Sequence, residues 1–282
     1  MTAATTTAVL ITGTSSGIGR AAVQRLAARP ELTVYATARR PEDIADLAAT
    51  GARTLALDVT REKSMRAAVE AVEAEHGAVG VLVNNAGYGA YGTVEEADLD
   101  AVRRQFETNV FGLSRMIQLV LPGMRAAGRG RIVNIGSMGG RFTFPAGGYY
   151  HASKYAVEAL SDALRFEAAP FGIKVSLIEP GLIRTRFGDT ATTSLGGSAV
   201  PSGPYAALNT AVEQQIAGAY ASPLLATEPE AVARVIERAA LSARPRSRYV
   251  VTPAARALVH TRRLFGDRVF DGILKLQFRG AS

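Results

Sequence analysis

The 282-residue sequence contains no cysteine and no tryptophan, and only three histidines. Without cysteine there is no disulfide, no thiolate nucleophile and no cysteine-based metal site, and a reducing, cytoplasmic setting is expected. His76, His151 and His260 show no metal-ligand spacing, so zinc chemistry is not expected. No stretch approaches the length of apolar sequence that a membrane-spanning helix needs. The start, MTAATTTAVLITG, lacks the charged region, long apolar core and cleavage site of a secretory signal. Internal repeats and low-complexity linkers are missing too, so one domain is expected.

Net charge is lacking except at one end. Lys and Arg number 32 against 25 Asp and Glu, a net charge of +7. Nine of the basic residues and two of the acidic ones fall between Arg244 and Ser282, so the rest of the chain is balanced. That distribution argues against a nucleic-acid-binding face. It leaves a basic tail with its own explanation to find.

What is present is a regular alternation. Short apolar runs at 7–12, 32–37, 53–58, 79–84, 131–136 and 174–179 read as buried strands, with a seventh at 247–252. Helix-like segments lie near 17–29, 62–76, 99–127, 149–170 and 228–242. Strands joined by helical crossovers predict a doubly wound α/β fold of about seven parallel strands with helices on both faces. Residues 1–252 would form this body. Within it, residues 186–227 begin rich in Gly, Ser and Thr and read as a lid or as a surface insertion. Residues 253–282 form a basic amphipathic extension. A helix over 267–279 would place Asp267, Arg268, Asp271, Lys275 and Arg279 on one face. Val269, Phe270, Ile273, Leu274 and Leu276 would occupy the other, packed on the body or a sister subunit, or docked on a membrane.

TGTSSGIG, residues 12–19, follows the first strand and opens the first helix. Gly13 permits a tight turn, Gly17 lets backbone approach a pyrophosphate, and Gly19 lets the helix pack close to the sheet. Ser15, Ser16 and Ile18 complete the loop, and the helix N-terminus offers unpaired N–H groups to phosphate. At the end of the second strand, a carboxylate would hold the ribose 2′-hydroxyl of NAD. The sequence there is VYATARR, with Ala38 in that place and Arg39 and Arg40 behind it. A 2′-phosphate fits such a site, so the cofactor is read as NADP(H).

GGYYHASKYA, residues 147–156, sets two tyrosines side by side. On a helix, Tyr150 and Lys154 share a face, whereas the fourth neighbour of Tyr149 is Ser153. A cation near a phenol favours the phenolate, so Lys154, together with the positive nicotinamide ring of an oxidised cofactor, is expected to lower the pKa of Tyr150 and fit it for proton exchange.

These motifs together resemble the short-chain dehydrogenase/reductase family, over roughly residues 7–252. The resemblance implies a Rossmann-like fold and hydride transfer between a nicotinamide and a carbonyl or secondary alcohol. It places Asp58 and Val59 of LDVT against the adenine, and Asn85, Ala86 and Gly87 of NNAG beside the cofactor ribose. PGLIRT supplies Pro180, Gly181, Ile183 and Thr185 near the nicotinamide amide. Asn109, Ser137, Tyr150 and Lys154 would be catalytic: Tyr150 as proton donor, Ser137 on the carbonyl oxygen, Lys154 on the nicotinamide ribose, Asn109 positioning a water. Ser137 and Tyr149 are candidate substrate contacts, and Tyr88, Tyr91, Met138, Phe142 and Phe144 candidate walls of an apolar pocket. Gly80 stands where the family usually has Asp, which puts no chemistry in doubt.

The layout is similar to NADP-linked hydroxysteroid and retinol dehydrogenases, which implies an apolar ketone or alcohol as substrate and a homodimer or homotetramer. Two other readings stay open: reduction of a 3-ketoacyl thioester, and a non-catalytic NADP-binding sensor or scaffold.

Overall fold

The computed structural model describes residues 6–198, 200 and 202–278. Along the chain, β1 (Thr7–Ile11), α1 (Gly17–Ala27), β2 (Leu32–Ala38), β3 (Arg53–Ala56), α2 (Glu62–His76) and β4 (Val81–Asn84) come first. They are followed by α3 (Leu99–Phe106), α4 (Leu113–Ala126), β5 (Gly130–Ile135), α5 (Gly148–Ala168) and β6 (Ile173–Glu179). The last part holds β7 (Leu182–Ile183), α6 (Arg186–Ser198), α7 (Ala206–Ala221), β8 (Ala226–Thr227), α8 (Pro229–Leu241), β9 (Arg248–Val250) and α9 (Pro253–Gln277).

Seven strands form one parallel sheet in the order β3-β2-β1-β4-β5-β6-β9, and β7 and β8 pair as a separate parallel ribbon. The sheet winds outwards in both directions from β1 and β4. At that reversal the flanking loops diverge and open a crevice at the strands' carboxyl ends. The inner strands are buried on both faces, which is why β1 reads as an almost unbroken apolar run, with Val9, Leu10 and Ile11 fully buried. On one face Leu10 and Leu82 meet Met116, Val120 and Val157 from α4 and α5. On the other, Val9 and Ile178 meet Val23, Leu26 and Ile236 from α1 and α8. Each such side chain contributes about 1.5–3 kcal/mol through burial. Together they fix the sheet beneath the crevice.

Three expectations about elements need correction. The single helix over 99–127 is two helices joined by a π-helical turn at Glu107–Gly112. The wider turn carries Asn109, whose amide is drawn to the loop after β4 rather than along the helix. Residues 186–198 are helical in spite of their Gly, Ser and Thr content. Tertiary packing decides here, since Leu195 and Ala191 are buried under the insertion.

The tail helix begins at Pro253, not 267. Thr252 caps it by accepting from the Ala255 N–H at 3.1 Å. It bends at Gly266, whose φ of 69° and ψ of −168° are open to glycine alone. Its apolar residues divide: Phe270 and Leu274 pack with Phe142, Phe144 and Val259, while Val269, Ile273 and Leu276 stay exposed. Arg279 lies outside the described residues. No helix among the described residues is long and apolar enough to cross a membrane.

Candidate active site

The loop after β1 is held open by close backbone contacts. Gly13 has φ +70°, and a Cβ there would come within 2.8 Å of the Ala86 Cα. The Asn85 amide donates to the carbonyls of Thr12 and Gly13 at 2.9 and 2.8 Å, while the Thr12 hydroxyl accepts from the N–H groups of Asn85 and Ala86. The loop's shape is therefore set by its neighbour and needs no bound group to hold it. Ser16 makes no side-chain cap on α1, and the first turn of α1 carries no acidic residue. Its N–H groups face the crevice without a competing carboxylate, which suits a pyrophosphate. Thr185 closes over Gly17, and Arg186 donates to the Ser15 carbonyl at 3.4 Å.

At the end of β2, Ala38 is buried and Arg39 is exposed on the cavity rim. Arg40 forms an ion pair with Asp43 at 3.0 Å, whereas Arg39 has no ion-pair partner among the described residues. Asp58 accepts from both the N–H and the hydroxyl of Thr60, which holds its carboxylate at the rim beside Val59.

Helix α5 places Tyr150 and Lys154 one turn apart on its inner face, both almost fully buried. Tyr150 and Ser137 face the same cavity, and the Ser137 oxygen accepts from the Gly139 N–H at 3.0 Å. The Lys154 ammonium donates to the Ile135 carbonyl at 3.0 Å and lies 6.0 Å from the centre of the Tyr150 ring. Burial pushes the Tyr150 phenol up to about 12, against the smaller lowering effect of Ser137. The same burial brings Lys154 down to about 8. Lys154 alone does not produce the lowering expected of it together with an oxidised nicotinamide: burial sets the direction, and the amine points at the Ile135 carbonyl.

Asn109 is buried, and its amide is committed. It donates to the Tyr88 carbonyl at 2.8 Å and the Ser153 hydroxyl at 3.1 Å, and accepts from the Tyr88 N–H at 3.1 Å. Its side chain therefore fixes the segment that follows NNAG rather than facing the cavity.

One cavity of about 1450 Å³ joins these features. It is large enough for a dinucleotide and a second ligand side by side. Gly13, Ser15, Ser16, Gly17, Ile18, Arg39, Asp58, Val59, Asn85, Ala86 and Gly87 line one end, and Ser137, Tyr150, Lys154, Pro180, Gly181, Ile183 and Thr185 its middle. Gly19 lies behind the loop, where a Cβ would collide with the Gly13 carbonyl. The far end is walled by Tyr91, Phe187, Val212, Ile216, Leu258 and Phe278. The acidic lining residues, Asp43 and Asp58, are both at the dinucleotide end.

The family model for short chain dehydrogenases matches residues 7–195. The chain belongs to the short-chain dehydrogenase family. It is an oxidoreductase acting on the CH–OH/C=O couple with a nicotinamide cofactor. The 3-ketodihydrosphingosine reductase of Bacteroides thetaiotaomicron is 46% identical over 187 residues, covering 66% of this chain and 67% of that protein. The NADPH-dependent 3-dehydrocapnine reductase of Ornithobacterium rhinotracheale is 33% identical over 277 residues, covering 94% of each. Among solved structures, a short-chain dehydrogenase from Streptomyces avermitilis superimposes with a TM-score of 0.80 at 34% identity, covering 100% of both chains. A short-chain dehydrogenase/reductase from Burkholderia phymatum in complex with NAD has a TM-score of 0.78 at 27% identity, covering 93% of this chain and 95% of that one. A metagenomic short-chain oxidoreductase in complex with NADP has a TM-score of 0.67 at 25% identity, covering 88% and 97%.

Besides Gly19 and Asn109, two sequence-based candidates fall outside this short-chain dehydrogenase cavity. Tyr149 is turned away, its hydroxyl donating to the Val94 carbonyl at 3.4 Å, because one residue along a helix rotates the side chain by about 100°. Phe142 is buried against Val259 and Phe270 and belongs to the core.

Several lining residues had escaped notice. Arg186 and Phe187 follow Thr185 directly and were legible by continuation of that motif. Tyr220, Leu258 and Phe278 gave no local signal, since only the return of distant helices brings them in.

His151 was hidden inside the motif itself. Its Nδ1 meets the Gly139 carbonyl at 2.9 Å, and its Nε2 accepts from the Phe144 N–H at 3.2 Å, which pins the 139–147 loop to α5. Burial lowers its pKa to about 4, so the ring is neutral, with Nδ1 as donor.

Proposed function

We propose that the protein is an NADP(H)-dependent reductase and dehydrogenase of apolar ketones and secondary alcohols, with Asn109, Ser137, Tyr150 and Lys154 as its working group. The observation that carries this reading is the convergence of Ser137, Tyr150 and Lys154 on the middle of the cavity, with Lys154 one helical turn from Tyr150. When bound, the nicotinamide supplies or accepts the hydride and, when oxidised, adds a positive charge.

Ser137 would hydrogen-bond the substrate oxygen as charge builds on it. Tyr150 would hand its proton to that oxygen, so one hydride and one proton convert a ketone to an alcohol. Lys154 stays mostly protonated at neutral pH and would hold ribose hydroxyls. Asn109 would act by ordering the loop at Tyr88. Arg39, exposed beside Ala38, would hold a 2′-phosphate, and with a carboxylate missing there NADP(H) is favoured over NAD(H).

The neutral, aromatic far end supports an apolar substrate of steroid- or retinoid-like bulk. The ketone-reductase names of two relatives add long-chain lipid ketones to that class. The 3-ketoacyl-thioester and sensor readings have no comparable support.

The test is consumption of NADPH and NADH with steroid, retinoid, long-chain and acyl-thioester ketones, using the wild type and Tyr150→Phe. Turnover of apolar ketones with NADPH, lost in Tyr150→Phe while cofactor binding persists, is expected. Turnover preserved in that variant would remove the proposed acid, and a preference for NADH would remove the cofactor assignment.

A further inference from the structure

After the bend at Gly266, α9 carries three stripes. Phe270 and Leu274 face the body. On the next arc lie Asp267, Asp271, Arg268 and Lys275, all exposed. On the third lie Val269, Ile273 and Leu276, with exposures of 46%, 37% and 56%. Immediately before the bend, Leu264 and Phe265 are 72% and 62% exposed beside the exposed Arg263. Isolated exposed apolar residues need no explanation, but here five gather within thirteen positions of sequence, two before the Gly266 bend and three after it, as one apolar patch of the chain.

We infer that this face of α9 docks on an anionic lipid surface. The charge of the chain favours that occupant. The whole net charge of +7 is concentrated in residues 244–282, and Arg263, Arg268 and Lys275 border the patch. Lipid phosphates neutralise them while acyl chains receive Leu264, Phe265 and Leu276.

The patch also adjoins the cavity. Gln277 and Phe278, the residues after Leu276, line it, and so does Leu258 on the first half of the same helix. Docking would therefore bring the apolar end of the cavity next to the bilayer, where an apolar substrate dissolves. The inference stands on charge and exposure, and does not depend on the proposed activity.

The test is sedimentation of the full-length protein with vesicles of phosphatidylglycerol and phosphatidylcholine in equal parts, and with phosphatidylcholine alone. Binding is expected to the anionic vesicles only, to fall steeply with salt, and to weaken at least about tenfold in Arg263→Glu/Arg268→Glu/Lys275→Glu. The variant Val269→Ser/Ile273→Ser/Leu276→Ser should lose binding to a similar degree while keeping its circular dichroism and its cofactor affinity. Because the chain has no tryptophan, Phe265→Trp gives a clean second readout, a blue shift of emission on anionic vesicles.

Protein left in the supernatant at low salt overturns the inference, as does binding that is indifferent to the charge reversal. A fall in solution mass of the Ser variant without lipid would overturn it too, by assigning the face to a second copy.

Discussion

The ring of Tyr91 lies on that of Tyr150, with centroids 5.6 Å apart and planes inclined by 26°. Phe187 closes the other flank at 5.3 Å. These rings exclude water from the phenol and cause much of its upward shift to about 12. Tyr91→Phe should leave kcat/KM near the wild-type value. Tyr91→Ala should lower it about tenfold and admit water to Tyr150. Alcohol oxidation needs the phenolate, so its rate rises with pH through that ionisation. The rise should move to lower pH in Tyr91→Ala, and an unchanged pH profile would show that the ring contact has no electrostatic effect.

Cofactor preference should turn on Ala38. Introducing a carboxylate with Ala38→Asp would accept from a 2′-hydroxyl and repel a 2′-phosphate. The ratio of kcat/KM for NADPH to that for NADH should fall by about one to two orders of magnitude. Arg39→Ala should raise KM for NADPH about tenfold with little effect on NADH. Steady-state kinetics with both cofactors check both variants, and an Ala38→Asp enzyme with unaltered preference would refute the assignment.

His151 predicts an acid-sensitive contribution to stability. Its pKa is lowered from 6.5 to about 4 in the fold. The unfolded chain therefore takes up a proton first as pH falls, and this contribution is present above 6.5 and lost towards 4. His151→Gln should flatten the fall in urea midpoint over that window. His151→Phe should cost about 1–3 kcal/mol at pH 7, because the Gly139 carbonyl and Phe144 N–H lose their partner. It should also lower kcat more than it raises KM, since the loop bearing Ser137 slackens. A variant with wild-type kcat would reduce His151 to packing.

Arg248 reaches three carboxylates at the edge of the sheet. It pairs with Glu158, with Glu179 at 2.7 Å and with Asp162 at 2.5 Å. Glu179 is completely buried, and Glu158 has its pKa raised by burial and then by Glu179. Arg248→Ala would leave Glu158 and Glu179 only Arg141, at 3.9 and 3.4 Å, and Asp162 only Arg165, at 3.2 Å, at a cost of up to about 3–5 kcal/mol. A carboxyl whose pKa is raised in the fold stabilises at low pH and loses that contribution as pH rises through it. The loss in Tm should thus be greater at pH 8 than at pH 5. An equal loss at both would assign the effect to packing.

The sheet and the dinucleotide loop were legible because both rest on local rules: apolar runs buried on two faces, and a glycine-rich turn between a strand and a helix. That Tyr150 and Lys154 share a face followed from helical spacing, but singling them out also took the nucleotide loop and Ser137 ahead of them in the sequence. The direction of the Tyr150 shift was not legible, since spacing puts an amine near a phenol but says nothing of Tyr91 and Phe187 stripping it of water. Tyr149 shows the opposite case: it satisfied composition, but helix geometry already turned it outward. The start of α9 was written in the Thr252–Pro253 pair and was missed because the later amphipathic pattern is more conspicuous. Phe278 was beyond reach, as its neighbours Tyr91, Leu208 and Ile216 are remote in sequence.

That last contact separates two kinds of change in this molecule. The stretch shared with the family model stops at residue 195, whereas Val212, Ile216, Leu258 and Phe278 come after it. The proposed proton donor and most of the proposed dinucleotide site lie in the shared stretch, and much of the far wall does not. Substitutions in the last helices can therefore reshape what is admitted while the reacting centre stays intact, so new substrate ranges are open to drift at little chemical risk.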